Sequence, residues 1–376
     1  LIDKMNFKRY TFRLNLDHNV SDNFKVGTST QISHRERNPH SIYGSALNMS
    51  PLSDPYDENG NLVGFPSGDP LNYNPLKDLQ DDNYIDERQR LRLFSNVFAD
   101  YDITQNLNYR LNFGLDLQHY RRGLFQGSET MARSLGTPYA EKNHNRDYST
   151  TFDNILTYSK NFGEIHSLEV TGLYSIETFR SESTDLAGDK LPYEHQLYHN
   201  LGSAGTVQDY SSYLEEWGLM SFMGRVNYQL MDKYLVTVTG RYDGSSRLAE
   251  EKKWGFFPST ALGWRISNEP FMAEQDLFNN LKLRVSWGRT GNTVIDPYQT
   301  RGSLARTAYN FGGDAGYGYA PSVLSNPNLQ WEVSSSANIG LDFGLWDNRV
   351  SGSLELYQTN TTDLLLERNL PITSGY

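Results

Sequence analysis

The sequence of 376 residues contains no cysteine, which excludes a disulfide framework and any metal or nucleophile chemistry that needs a thiolate. It has no run of roughly 18 to 20 apolar residues, the length that a membrane-spanning helix requires. A membrane protein with this sequence must therefore cross with strands. A basic surplus is also missing, since 34 Lys and Arg stand against 45 Asp and Glu, for a net charge of −11. Nucleic acid is not an expected partner, because duplex binding needs clustered cationic side chains.

The two ends of the sequence carry no targeting signal. The first residues lack the basic region, apolar core and small-residue cleavage site of a secretory signal peptide. The last residues have the composition of a loop. We therefore expect residues 1–376 to be one internal piece of a longer protein.

Aromatic residues are abundant although the sequence as a whole is polar. Hydrophobic residues make up 37% of the chain, yet it contains 25 Tyr, 18 Phe and 6 Trp. A transmembrane β-barrel has this composition, because its lumen is polar and its aromatic side chains lie at the two membrane interfaces. The low overall hydrophobicity is therefore compatible with a membrane protein.

Apolar and polar residues alternate strictly along many segments of the chain. In residues 107–117 six apolar side chains occupy every second position and the intervening positions are mostly polar. This period of two is typical of a strand with one apolar and one polar face. The same pattern recurs at residues 10–16, 91–101, 168–176, 234–242, 281–287, 337–343 and 350–356. We predict about twelve strands.

The connections between these strands alternate between short and long. Short turns are predicted within residues 17–23, 102–106, 159–164, 229–233 and 345–349, and long polar connections within residues 35–88, 121–147, 180–214 and 289–330. An up-and-down antiparallel barrel of the outer membrane has this asymmetry, with tight turns at one rim and long loops at the other. Residues 267–280, a short helical pattern after Asn-Glu-Pro, break the rule on the tight rim. A soluble sandwich or propeller would show the same alternation but not the one-sided loops.

The candidate ligand-binding residues are aromatic side chains in the predicted long loops. Tyr309, Phe311, Tyr317 and Tyr319 are separated by glycines and can stack on sugar rings or other flat ligands; the alternative is that their loop packs on neighbouring loops. Trp217 and Trp254 complete the candidate set. They are predicted near the same rim but belong to two other segments of the chain.

No motif predicts catalysis, a cofactor or a metal. His195 and His199 are four residues apart, but their segment is a predicted loop and the sequence lacks the HExxH order of a zinc site. The Asp-Glu-Asn-Gly run at residues 57–60 does not have the spacing of an EF-hand loop. We therefore expect no enzyme activity.

Six long, ordered motifs lie in the second half of the chain. They are R-x-N-Y at 225–228, D-K-Y-L at 232–235, R-x-D-G-S-S-R at 241–247, F-P-S-T-A-L-G-W-R at 257–265, L-K-L-R-V-S-W-G-R-T-G-N at 281–292 and N-P-N-L-Q-W-E at 326–332. In these motifs the chain resembles the barrel of the SusC/RagA family of TonB-dependent outer-membrane transporters. The resemblance implies a barrel of about 22 strands with an amino-terminal plug. Residues 1–376 then form a partial barrel domain, without the plug and the final strands.

The resemblance also implies a function and partners. Such a protein imports a glycan oligomer or a peptide with energy from the TonB complex, and a SusD-like surface lipoprotein covers the barrel as a lid. Outer-membrane lipid surrounds it. The alternatives are a passive porin, which shares the polar lumen, and a soluble or surface-attached glycan-binding β-protein.

Overall fold

The computed structural model describes residues 5–374 and consists almost entirely of antiparallel strands. Twelve strands form one sheet in the order β1 to β10, β13, β14, and β11 pairs with β12 in a separate hairpin. This order confirms the predicted all-β, up-and-down architecture with about twelve strands. The strands are β1 (Asn6–Ser21), β2 (Phe24–Asn38), β3 (Tyr84–Thr104), β4 (Leu107–Gln126), β5 (Tyr139–Phe162), β6 (His166–Asp189), β7 (Thr206–Leu230), β8 (Tyr234–Ser245), β9 (Trp254–Arg265), β10 (Phe278–Asn292), β11 (Ser303–Phe311), β12 (Asp314–Val323), β13 (Glu332–Leu345) and β14 (Val350–Thr362).

Helical structure is confined to single turns. The one α-helix among the described residues is α1 (Tyr43–Leu47), and 3₁₀ turns occur at Pro75–Leu79, Glu194–Gln196, Leu201–Ser203, Glu250–Lys252, Ile266–Asn268, Pro270–Met272 and Ile372–Ser374. None of the helices in the described part of the chain has the length and hydropathy needed to span a membrane.

The alternation of residue types divides the sheet into an apolar face and a polar face. On β4, Leu115 and Leu117 lie on one face, and Arg110 and Asp116 on the other. The register preserves this division from strand to strand, since Leu117 lies opposite Leu93 of β3. Further pairs on the apolar face are Val226–Val238, Val285–Ile339 and Leu341–Leu354.

The two ends of the sheet differ as predicted. Short turns close the strand pairs at residues 22–23, 105–106, 163–165, 231–233 and 346–349, and we call this end the turn rim. The opposite end, the loop rim, bears the long connections at residues 39–83, 127–138, 190–205, 246–253 and 293–331. The segment after β9 lies at the turn rim and forms two 3₁₀ turns.

The strands are much longer than the sequence pattern predicts. β5 and β6 have 24 residues each and β7 has 25, so parts of the predicted connections 121–147 and 180–214 are strand. The predicted long connection 289–330 also contains the hairpin β11–β12. Strict alternation marks only strands with one apolar face, whereas these extensions carry mostly polar residues on both faces. Cross-strand hydrogen bonds hold them instead, such as the one that the Ser181 hydroxyl donates to Asp147 at 2.7 Å.

Candidate functional site

The polar face carries charged side chains that pair across neighbouring strands. Arg92 of β3 donates through Nε to Asp116 of β4 at 2.8 Å. Arg284 of β10 donates to Asp342 of β13 and to Glu355 of β14, each at 2.8 Å. Such planar, charge-assisted contacts fix the side chains while leaving the face hydrophilic. The polar face can therefore line an aqueous passage.

Towards the loop rim the polar face contains a buried carboxylate. Asp86 is 3% exposed and accepts hydrogen bonds from Arg88 Nη2 at 2.7 Å and from Arg122 Nε at 2.9 Å. Arg122 also donates to Glu141 at 3.1 Å. Burial raises the pKa of Asp86, but the hydrogen bonds from both guanidinium groups outweigh it, so the pKa lies below its ordinary value. The network therefore links the side chains of β3, β4 and β5 near the loop rim.

One of the two buried apolar clusters found within residues 5–374 forms where the connection 190–205 folds against β4 and β5. Phe125, Ala140, Leu191 and Tyr198 make up this cluster. Phe125 and Ala140 are directly paired and belong to the same face as the apolar positions lower on β4 and β5. The Tyr198 hydroxyl donates to Glu87 at 2.5 Å, and burial together with this carboxylate raises the pKa of Tyr198 to about 12. The connection therefore packs as an ordered lobe rather than a free loop.

The other buried cluster lies where two connections cover the loop-rim end of β9. It consists of Leu248, Phe257 and Trp331, and the indole of Trp331 donates to the Lys253 carbonyl at 2.9 Å. Trp331 comes from the N-P-N-L-Q-W-E motif and Phe257 from the F-P-S motif. These two motifs thus meet in space and fasten the loops to the sheet.

The R-x-D-G-S-S-R motif at residues 241–247 also serves a structural purpose. Arg241 donates to Asp243 at 2.8 Å and to the Ser221 hydroxyl at 3.0 Å. The Ser246 hydroxyl accepts a hydrogen bond from the Gly218 amide at 2.9 Å. The motif thereby joins the end of β8 to β7.

The four predicted aromatic residues of the long connection lie on the hairpin β11–β12. All four rings are highly exposed, from 65% for Tyr317 to 75% for Tyr319. Tyr309 and Phe311 are neighbours on one face, with ring centroids 4.7 Å apart. Tyr317 and Tyr319 lie on the other face, where the Arg306 guanidinium is 3.9 Å from the Tyr317 ring centroid. The structure therefore brings the four residues together as two separate pairs.

Trp217 and Trp254 lie on opposite faces of the main sheet. Trp217 is on the polar face, stacked on Phe179 at 5.5 Å, and the Arg247 guanidinium is 3.9 Å from its ring centroid. Trp254 is on the apolar face, stacked on Tyr242 with ring centroids 4.8 Å apart. An indole on the apolar face suits the membrane interface, whereas Trp217 is placed beside the polar passage.

The histidine pair in the connection 190–205 is not assembled as a metal centre. His199 packs on Tyr198, with ring centroids 4.4 Å apart, and His195 faces Tyr193 at 5.8 Å. The neighbouring Glu194 accepts the Ser128 amide at 3.3 Å. Within residues 5–374 no group of three or more His, Cys, Asp or Glu side chains has metal-binding geometry.

Sequence reasoning missed the charged network around Asp86 and the row of arginines described below. Asp86 and Arg122 are 36 residues apart along the chain, and only the strand register brings them together. The sole signal in the sequence is that both lie at polar positions of strands that alternate. Without the register, such a signal does not select these two residues from the other charged ones.

Comparison with known proteins identifies the class to which this fold belongs. Residues 29–376 match the family described as TonB dependent receptor-like, beta-barrel. The chain belongs to this family and is an outer-membrane β-barrel segment. Its apolar face is accordingly the lipid-facing one.

Individual relatives agree with this assignment. The chain is 31% identical to TonB-dependent receptor P3 of Formosa agariphila, over 98% of this chain and 38% of that protein. It is 37% identical over 177 residues to TonB-dependent receptor SusC of Bacteroides thetaiotaomicron, covering 45% of this chain and 17% of that protein. The RagAB peptide transporter has the same fold, with a TM-score of 0.85 and 23% identity over 99% of this chain and 42% of the matched chain. These relatives are receptors and transporters, and this chain spans about two fifths of the length of P3.

Proposed function

We propose that the protein containing this chain imports a nutrient oligomer across the outer membrane with energy from the TonB complex. The observation that carries the proposal is the similarity to TonB-dependent receptor P3 along 98% of this chain. The two-faced sheet supports it, because an apolar face meets lipid while an ion-paired polar face can surround a hydrophilic solute.

The SusC/RagA relationship also supports a substrate class and a partner. The likeness to SusC and to the RagAB peptide transporter supports a glycan oligomer or a peptide as the substrate. The same relationship supports a SusD-like surface lipoprotein as a lid over the loop rim. The TonB complex would act through the plug, which we place in the remainder of the protein.

We propose the hairpin β11–β12 and Trp217 as ligand contacts at the loop rim. The hairpin presents one aromatic pair on each face, and exposed rings can stack on a sugar or on a peptide side chain. Tyr309 and Phe311 lie on one face, Tyr317 and Tyr319 on the other. A ligand that stacks on one face of the hairpin contacts one pair and not the other.

The experiment that tests import measures uptake of fluorescent oligomers by cells that carry the complete gene, compared with deletion of the gene. We expect accumulation that stops when the TonB-contacting segment is disrupted, at unchanged protein level in the outer membrane. A passive porin would accumulate oligomers equally without TonB, and this result would overturn the proposal. A soluble or surface-attached binding protein would separate from the outer membrane without detergent.

The same assay tests the hairpin. Alanine substitution of Tyr309 with Phe311, and of Tyr317 with Tyr319, is made as two separate double variants. We expect one double variant to raise the oligomer concentration needed for half-maximal uptake and the other to leave it unchanged. Equal, wild-type behaviour of both would show that the hairpin rings pack on other parts of the protein and do not bind the ligand.

A further inference from the structure

Three arginines lie side by side across the first three strands. Arg9 of β1 is directly opposite Arg35 of β2, and Arg35 is directly opposite Arg90 of β3. We call this set the arginine row. Residues directly opposite each other in antiparallel strands have Cβ atoms only about 5 Å apart, and like charges in such pairs repel. An anion bound between these three cations would relieve their repulsion.

The described part of the chain does not supply that anion. Within residues 5–374 no carboxylate is within 4.0 Å of a side-chain nitrogen of Arg9, Arg35 or Arg90. The nearest acidic residues on the polar face are already engaged, Asp86 by Arg88 and Arg122, and Asp116 by Arg92. Arg90 has a ring as its neighbour, with its guanidinium 5.6 Å from the Tyr120 centroid.

The arginine row is accessible, and its positive charge is unusual in this chain. Arg9 and Arg90 are exposed and Arg35 is half-buried, so all three guanidinium groups are reachable. The chain as a whole has a net charge of −11, so the row is a local excess of positive charge and not a reflection of composition. A further arginine pair, Arg37 and Arg88, lies on the same face two residues nearer the loop rim, and its Arg88 is paired with Asp86.

The position of the row indicates what kind of anion reaches it. The side chains of the arginine row alternate with Tyr10, His34 and Leu91, which lie on the lipid-facing side of the same strands. The row therefore faces the polar passage and is turned away from lipid headgroups. The row lies near the loop rim, because Arg9 is close to the start of β1 at Asn6 and twelve residues before its end at Ser21, which is at the turn rim. A solute entering from the loop rim meets the row early in its path.

Two exposed aromatic rings share the polar face with the row, Phe7 two residues before Arg9 and Phe94 four residues after Arg90. Phe7 of β1 and Phe94 of β3 are 59% and 46% exposed, although they lie on the hydrophilic side of the sheet. Rings and guanidinium groups together can bind a flat sugar ring and its carboxylate, by stacking and by bidentate hydrogen bonds. The row is less suited to a peptide. The backbone groups of β2 and β3 are already paired with strands on both sides, so a peptide cannot bind to them as an added strand.

We propose that the arginine row binds the carboxylate groups of an acidic oligosaccharide, and that such an oligosaccharide is the imported substrate. This inference rests on the proposed import function and specifies its substrate class. One guanidinium per strand offers a regular series of cationic groups, which suits a polymer with a carboxylate on successive rings. The surrounding ion pairs engage the neighbouring carboxylates, so the row is available to an anion from outside the described residues.

The test uses the full-length protein with its plug and lid, purified in detergent, and titration calorimetry with two matched probes. The probes are oligogalacturonate and the same oligomer with every carboxylate methyl-esterified. We expect the acidic probe to bind, its affinity to fall as salt concentration rises, and the esterified probe to bind at least tenfold more weakly. The Arg9→Gln, Arg35→Gln, Arg90→Gln triple variant should lose at least tenfold in affinity for the acidic probe.

Two further variants serve as controls. Arg349→Gln removes an exposed arginine at the turn rim and should leave affinity for the acidic probe unchanged. The corresponding triple lysine variant keeps the charge but cannot make the bidentate hydrogen bonds, so its affinity for the acidic probe should lie between those of the wild type and of the triple glutamine variant. Heat-modifiable migration on gels reports whether each variant is folded.

Several results would overturn the inference. They are equal binding of both probes, unchanged binding by the folded triple variant, or arginine-dependent binding of polyglutamate without binding of oligogalacturonate. Release of the plug from the triple variant in the absence of any probe would assign the row to the plug instead. TonB-dependent uptake of neutral oligomers only would support the proposed import function and overturn the inference that the substrate is acidic. Arginine-dependent binding of the acidic probe without any TonB-dependent uptake would support the binding site and overturn the import function.

Discussion

At the scale of single residues, Glu269 explains why the chain departs from a simple short turn after β9. Its carboxylate accepts hydrogen bonds from Tyr234 at 2.7 Å, from Trp264 at 3.0 Å and from Lys233 at 3.0 Å. These three contacts hold the pKa of Glu269 at about 2, well below 4.5. Residues 267–280, for which the sequence pattern suggested no role, are thus connected to the turn-rim ends of β8 and β9 through the Glu269 side chain.

The low pKa of Glu269 predicts a specific pH dependence of stability. A carboxylate with a lowered folded-state pKa stabilises fully above its ordinary value of 4.5, and this contribution is lost as the pH falls towards about 2. We expect Glu269→Gln to lower the melting temperature above pH 4.5 and to make the melting temperature less dependent on pH below it. Thermal unfolding of the complete protein in detergent measures this. Glu274→Gln, at an exposed position of the same segment, should keep the wild-type pH profile; identical profiles for all three proteins would refute the assignment.

At the scale of elements, the connection 190–205 depends on a close approach that only glycine permits. A Cβ atom on Gly123 of β4 would lie 2.4 Å from the Tyr198 ring, far inside van der Waals contact. Tyr198 is 4% exposed and is the largest member of its cluster, so the ring cannot move aside without opening the lobe. The lobe is therefore held by shape as well as by its hydrogen bond to Glu87.

This close approach predicts that Gly123→Ala loosens the lobe while the barrel stays folded. Overpacking of this kind typically costs about 1–3 kcal/mol, here concentrated in one connection. We expect faster tryptic cleavage after Lys190, an exposed residue at the start of the connection, measured by mass spectrometry. Gly114→Ala on the same strand is the matched control, because its Cβ would be at an ordinary 3.5 Å from Thr151. Equal cleavage rates in the two variants would contradict the packing argument.

The same elements show how far sequence reasoning reaches. Strand existence, the short turns and the apolar face follow from residues such as Leu115 and Leu117, because burial of one face imposes a period of two. The extended ends of β5 to β7 cannot be predicted in this way, since both of their faces carry mostly polar residues. The arginine row does not follow either, because its members, Arg9, Arg35 and Arg90, are adjacent only through the register. Of the candidate site, the sequence supplied the exposed aromatics but not their division between two faces.

At the scale of the whole molecule, the strands are longer than a bilayer requires. The 25 residues of β7 extend about 80 Å along the strand, or about 60 Å in height at the usual tilt, against a hydrocarbon core of about 30 Å. The apolar face ends below the loop rim, where polar residues such as His144 and Thr184 are paired across β5 and β6 on the same side of the sheet. The sheet therefore projects beyond the membrane as a wall that carries the loops.

This projection predicts which positions on the outer surface of the barrel meet water. Thr184 of β6 lies eighteen residues beyond His166 at the turn rim, about 45 Å above it, and is exposed on the same face as the lipid-facing positions. Val238 of β8, on that face, lies within the apolar band. Because the sequence has no cysteine, Thr184→Cys and Val238→Cys each introduce a single thiol into this chain. A membrane-impermeant maleimide applied to intact cells should label the Thr184→Cys variant and not the Val238→Cys variant. The labelling measured for the protein without either substitution is subtracted from both. Equal protection of both would place the membrane boundary above Thr184 and contradict the projecting wall.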